Sequence, residues 1–128
     1  MNLYDPTTFD EVCALLAKHQ RGLTPEQTLN RLFQKHLNGH KKHIVNGAPT
    51  LTRDNTTVGK EFWNTNSLRA LMPRPKEKNR KPHTDEFPVV IVRYLGTDCL
   101  IDGGTRANYW YYEGDAREHQ AAVLTVAT

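Results

Sequence analysis

Asp102-Gly103-Gly104-Thr105-Arg106 is the run in this 128-residue chain whose residue types and spacing can do chemistry. If a helix opens at the glycines, its first N–H groups and the positive end of its dipole face outward, and the missing side chains let a ligand come close. Such an end suits a phosphate. Arg106 adds a planar fork of donors, Thr105 a hydroxyl, and Asp102 a carboxylate that either holds a divalent cation such as Mg²⁺ or caps the helix. The plainer reading is a tight strand-to-helix turn with a capping aspartate, and the residues alone leave both open.

The elements that position this run are legible around it. Residues 87–95, Phe-Pro-Val-Val-Ile-Val-Arg-Tyr-Leu, are β-branched, aromatic and almost wholly apolar, which predicts a strand covered on both faces. Gly96-Thr97-Asp98 turns the chain, and Cys99-Leu100-Ile101 is a second, short strand. A helix is expected over 105–113 with Ala107, Trp110 and Tyr111 facing inward, stopped by Gly114-Asp115, and 121–126 supplies a last strand. In the run Tyr109-Trp110-Tyr111-Tyr112 consecutive rings cannot all face a core, so Tyr109 or Tyr112 is expected at the surface, open to a base or a protein partner.

This order, with a Pro-Val-Val-Ile-Val strand, a hairpin, Ile-Asp-Gly-Gly-Thr-Arg, a helix and a closing strand, resembles the ParB N-terminal or sulfiredoxin-like superfamily. The G-x-x-R turn of that superfamily is matched by Gly103-Gly104-Thr105-Arg106 over a resemblance of about 40 residues, or about 65 if 67–72 is its first strand. The resemblance implies a small mixed-sheet core with a phosphate-binding loop, and a nucleotide such as ATP or CTP as ligand. Two departures narrow it. Sulfiredoxins place a reactive cysteine in this turn, where Thr105 stands here, so sulfinic-acid reduction is not expected. Chromosome-partitioning ParB proteins carry a second phosphate motif and a large DNA-binding domain after the turn; neither follows within these residues, so clamping on a centromere is not expected either.

Upstream, Thr7 or Thr8 can cap a helix ending near Gly22, and Thr24-Pro25-Glu26-Gln27 is a capping box for a second helix that stops at Asn38-Gly39. These two helices can also be read as a helix-turn-helix over 8–37, with Asn30, Arg31, Gln34 and Lys35 as its polar face. Residues 39–57 read as a loop, 60–63 as a turn of helix and 67–72 as an opening strand. His36, His40 and His43 have a spacing that can bind zinc, but no fourth ligand lies near, and solvated histidines at a helix end are the expectation. The stretch 74–83 carries five Lys or Arg, among them Lys76, Lys78, Arg80 and Lys81, and reads as a basic loop able to neutralise nucleic-acid phosphates.

Composition bounds the whole. The chain is 38% hydrophobic, 24% charged and carries a net charge of +3, which permits an anionic partner. No run approaches a membrane helix, the start lacks the features of a signal peptide, and Cys13 and Cys99 sit in apolar runs, so a cytoplasmic protein with buried thiols is expected. The expectation is an α+β protein, with 1–59 a helical segment and connecting loop and 60–128 a ParB/sulfiredoxin-like core. Its function is expected to be binding of nucleotide or nucleic-acid phosphate. That binding serves an NTPase, kinase or nuclease in which Asp102 and Arg106 are catalytic; the alternative is a non-catalytic plasmid- or phage-type regulator, inhibitor or immunity protein acting by protein-protein or DNA binding. Glu61, Asp85, Glu86 and Asp98 are the available general bases.

Overall fold

A computed structural model describes residues 2–38, 48–72 and 87–128. Helix α1 (Phe9–Leu15) starts at Thr8, whose Oγ1 accepts from the Glu11 N–H at 3.1 Å and donates to the Glu11 carboxylate at 3.1 Å. It runs into a 3-10 turn, Leu16–His19. Helix α2 (Pro25–Asn38) starts with the reciprocal box foreseen from its sequence: the Gln27 N–H donates to Thr24 Oγ1 at 3.1 Å, and the Thr24 N–H to Gln27 Oε1 at 3.0 Å.

Strand β1 (Thr56–Asn64) leads into the short helix α3 (Thr65–Ala70); β2 (Val89–Tyr94) and β3 (Thr97–Asp102) form a hairpin; α4 (Gly104–Tyr112) and β4 (Glu118–Val126) follow. The four strands make one sheet in the order β1-β4-β2-β3. β4 lies parallel to β2 and antiparallel to β1, while β2 and β3 are antiparallel. The protein is therefore α+β, a helical N-terminal segment followed by a mixed-sheet core.

Period-two alternation in the central strands divides the core in two. Val90, Val92, Ala122 and Leu124 point to the side covered by Val12, Leu16, Leu29 and Phe33 of the N-terminal helices. Val89, Ile91, Ala121 and Val123 point to the side covered by Leu68 of α3 and Ala107 of α4, with Trp63 and Trp110 packed at its margin. Covered on both faces, β2 buries Val89 through Val92 completely, as its apolar run requires.

Several expectations are corrected. Residues 60–63 belong to β1, an edge strand in which Thr56 alone is fully buried. Residues 67–72 form most of α3 rather than a strand, because the Asn64 side chain caps the Ser67 N–H at 2.8 Å and starts a helix. The resemblance therefore gains no first strand from them. β1 spans the 59/60 boundary, and the N-terminal helices share a core with the sheet. The β2–β3 turn is made by Leu95 and Gly96, both at positive φ, one step earlier than expected.

Two residues of the polar face of the supposed helix-turn-helix, Asn30 and Arg31, make internal hydrogen bonds, while Gln34 and Lys35 are exposed. Asn30 exchanges hydrogen bonds with the Leu51 backbone at 2.7 and 3.2 Å, and Arg31 donates to the His19 carbonyl at 3.0 Å. His36 Nδ1 donates to the Leu32 carbonyl at 2.8 Å. His40, His43, Lys76, Lys78, Arg80, Lys81, Asp85 and Glu86 lie outside the described residues.

Candidate anion-binding site

β3 ends at Asp102, Gly103 turns the chain, and α4 begins at Gly104, so the Gly-Gly-Thr-Arg run occupies the strand-to-helix position expected of it. Gly103 stands at φ 106°, a conformation L side chains rarely adopt, and a Cβ there would lie 2.4 Å from Val89 Cγ1. The turn needs glycine for conformation and for close approach. The first bond closing the helix runs from the Ala107 N–H to the Gly103 carbonyl at 2.9 Å, so the amides of Gly104, Thr105 and Arg106 precede the first intrahelical donor.

Arg106, read as a fork of donors open to a phosphate, is instead buried. It is 5% exposed. Its Nη1 donates to the Phe87 carbonyl and its Nη2 lies 3.5 Å from Asp102 Oδ2. The guanidinium thus ties the start of the β2 segment to the end of β3 beneath the first turn of α4. Its long-range charge still acts at that turn, but the fork is engaged with protein.

Asp102 is held from a second direction by residues the sequence did not point to. Lys18 Nζ lies 3.3 Å from its Oδ2 and His19 Nε2 3.2 Å from its Oδ1, while the carboxylate side chain is only 8% exposed. Both partners come from the 3-10 turn after α1, and 83 residues separate His19 from Asp102. Lys18 is the more mobile kind of partner, a half-exposed ammonium on a flexible stem. Asp102, Lys18 and Arg106 together leave one surplus positive charge, to which the helix end adds about half a charge more.

That arrangement crowds Asp102 with positive and proton-bearing groups. A metal on Asp102 would have to enter among three cationic or proton-bearing side chains already within 3.5 Å of its oxygens. Among the described residues no group of three or more His, Cys, Asp or Glu side chains gathers in metal-binding geometry. Two of the candidate bases, Glu61 and Asp98, are elsewhere. Glu61 and Asp98 both pair with Arg93, at 2.8 and 2.7 Å, and Asp98 sits at the opposite end of β3 from Asp102, about 13 Å along the strand. Arg93 holds the Glu61 carboxyl below the usual carboxylate range.

The thiols behave as expected of core residues. Burial pushes Cys13 up to about 12 and Cys99 up to about 11, so neither is a nucleophile at neutral pH.

At the far end of α4, Trp110 is packed at the margin of the core and its ring stacks on His119, centroids 3.5 Å apart and planes 4° from parallel. Tyr111, expected inside, is exposed together with Tyr112. Burial lowers the His119 pKa below 6.5 even though Asp115 stands 3.4 Å away, and Arg117 keeps Asp115 down at about 2. A depressed histidine pKa contributes stability that is present above pH 6.5 and is lost as pH falls through the folded value. The melting temperature is therefore expected to decline on acidification below pH 6.5, and His119→Phe, which keeps a ring against Trp110, is expected to remove that part of the decline. Superimposable pH profiles for the two proteins would contradict this.

No helix among the described residues is long and apolar enough to cross a membrane. Comparison with family models, curated proteins and solved structures finds no match to this chain.

Proposed function

We propose that the protein binds a phosphate group of a nucleotide or nucleic acid at the opening of α4, with the Gly104 and Thr105 amides, the Thr105 hydroxyl and Lys18 as its contacts and Arg106 as the buried charge behind them. The observation that carries this reading is the convergence of Lys18 and His19 on Asp102 directly beside the first turn of α4. Cations from the N-terminal segment and a helix end from the C-terminal one meet at one place, which suits a multiply charged anion better than either does alone. The resemblance of the Gly103 to Arg106 turn to a phosphate-binding loop supports the same reading. Of the candidate bases, Glu61 and Asp98 are committed to Arg93, so neither is the base of a reaction at this turn. The basic stretch that includes Lys76, Lys78, Arg80 and Lys81 leaves the described chain after Met72 and returns before Phe87. Met72 lies against Gly104, and the Phe87 carbonyl accepts from Arg106.

Thermal melting in the presence of pyrophosphate, ATP or CTP tests the proposal. A ligand at a hundred times its dissociation constant is expected to stabilise the protein by about 2.7 kcal/mol. Lys18→Ala is expected to raise that constant about tenfold and cut the stabilisation at the same concentration to about 1.4 kcal/mol. The apo protein should melt almost unchanged, since the lysine is half exposed. Absence of stabilisation by all three ligands would sink the proposal.

A further inference from the structure

Beyond the phosphate site, α4 carries a second feature at its other end. Arg69, in the last turn of α3, places its guanidinium carbon over the Tyr111 ring at 3.8 Å from the centroid, and 5.8 Å from that of Tyr112. The two tyrosines are 42% and 43% exposed and meet edge to face at 5.3 Å. The Arg69 Nε donates to the buried Asn108 carboxamide at 3.4 Å, which holds the guanidinium in place. The result is a half-buried cation over one of two exposed rings that stand at 83° to each other, a preorganised aromatic cluster whose charge is positive. Such a combination of arginine and tyrosine is the kind on which unstacked bases lie.

We infer that the exposed Tyr111 and Tyr112 rings, with Arg69 against them, stack the bases of a single-stranded nucleic acid whose phosphate sits at the opening of α4. The inference rests on the phosphate-binding reading and gives it a ligand class. Geometry sets the direction and the length. From Gly104 to Tyr111 the helix rises about 10 Å, a span of about three stacked nucleotides at about 3.4 Å each. The backbone of the strand is placed toward Lys18 and the positive end of α4. At the tyrosine end the helix dipole is negative and Glu113 follows Tyr112, so phosphates are disfavoured there while neutral bases are not. A mononucleotide reaches one end of this surface, whereas an oligonucleotide reaches both.

The test is fluorescence anisotropy of labelled oligothymidylates of one, three and eight nucleotides at low salt, using wild type, Tyr111→Ala/Tyr112→Ala and Tyr111→Phe. The expected result is a gain in affinity between one and three nucleotides that the double alanine variant loses, by at least tenfold for the eight-nucleotide strand. Tyr111→Phe keeps the ring and is expected to bind as wild type does. Because both rings are exposed, the double variant should still melt normally and should still be stabilised by pyrophosphate, which separates the rings from the phosphate site. An unchanged oligonucleotide affinity in the double variant, or pyrophosphate binding without any gain from added nucleotides, overturns the inference while the phosphate reading stands. Self-association of the wild type that the double variant abolishes, with oligonucleotide affinity untouched, assigns the rings to a protein contact and overturns it as well.

Discussion

Replacing Arg106 by alanine is expected to destabilise the protein by about 3 kcal/mol and lower its melting temperature by about 10 °C. The guanidinium is buried, it bonds the Phe87 carbonyl, and it faces Asp102 at 3.5 Å. Its loss leaves a carboxylate that is 8% exposed with fewer partners and a backbone carbonyl without its donor. Lys18 and His19 remain on Asp102, which keeps the cost toward the lower end for a broken buried pair. Arg106→Lys should recover only part of the stability, since an ammonium cannot bridge both acceptors as the fork does. Chemical denaturation of the three proteins checks this. An alanine variant within about 0.5 kcal/mol of wild type would mean that the arginine is not holding the turn and is available to a ligand directly.

Gly103→Ala should be at least as damaging, by about 3 to 4 kcal/mol, for two separable reasons. At φ 106° an L side chain is strained, which costs about 1 to 2 kcal/mol, and the new Cβ would meet Val89 Cγ1 at 2.4 Å and Val89 Cβ at 2.8 Å. Val89 is wholly buried and sits in the central strand, so the contact cannot be relieved by a surface movement. A cycle with Val89→Ala divides the two causes. The double variant should be less destabilised than the sum of the singles, because the smaller side chain removes part of the clash, and it should still be less stable than Val89→Ala alone, because the φ strain remains. Strict additivity would show that the Val89 contact is not what forbids a side chain at 103.

The sequence was readable where one residue class settled the matter locally. The unbroken β-branched run of β2 admits little but a central strand, Thr24 and Gln27 form their box over three residues, and the paired glycines mark where β3 gives way to α4. β1 was missed because an edge strand needs no apolar face: Gly59, Lys60 and Glu61 interrupt its pattern, and what makes it a strand is its pairing with β4, nearly sixty residues away. Residues 67–72 misled for the opposite reason, since Leu68, Leu71 and Met72 are as apolar as a strand would be and the deciding group is the single Asn64 cap.

The same contrast runs through the site. Asp102 and Arg106 are four residues apart, so their pairing was within reach, yet the burial of Arg106 depends on Phe87 and on the core packed beneath α4. Lys18 and His19 gave no local signal at all. A lysine and a histidine at the end of a short helix look like solvated residues until the fold carries them 83 residues across to Asp102. The exposed rings were half legible: Tyr112 stands outside as expected, but Tyr111 joins it, because Arg69 of α3 covers that face of the helix in place of an apolar neighbour.

The most direct test of phosphate binding at the opening of α4 is the amide spectrum of ¹⁵N-labelled protein titrated with pyrophosphate. If the site is where the fold places it, the Gly104 and Thr105 amides, together with Lys18 and His19, should shift first and saturably, and Lys18→Ala should move the midpoint about tenfold higher while the same amides respond. Shifts confined to residues distant from Gly104, or none up to millimolar pyrophosphate, would contradict the account.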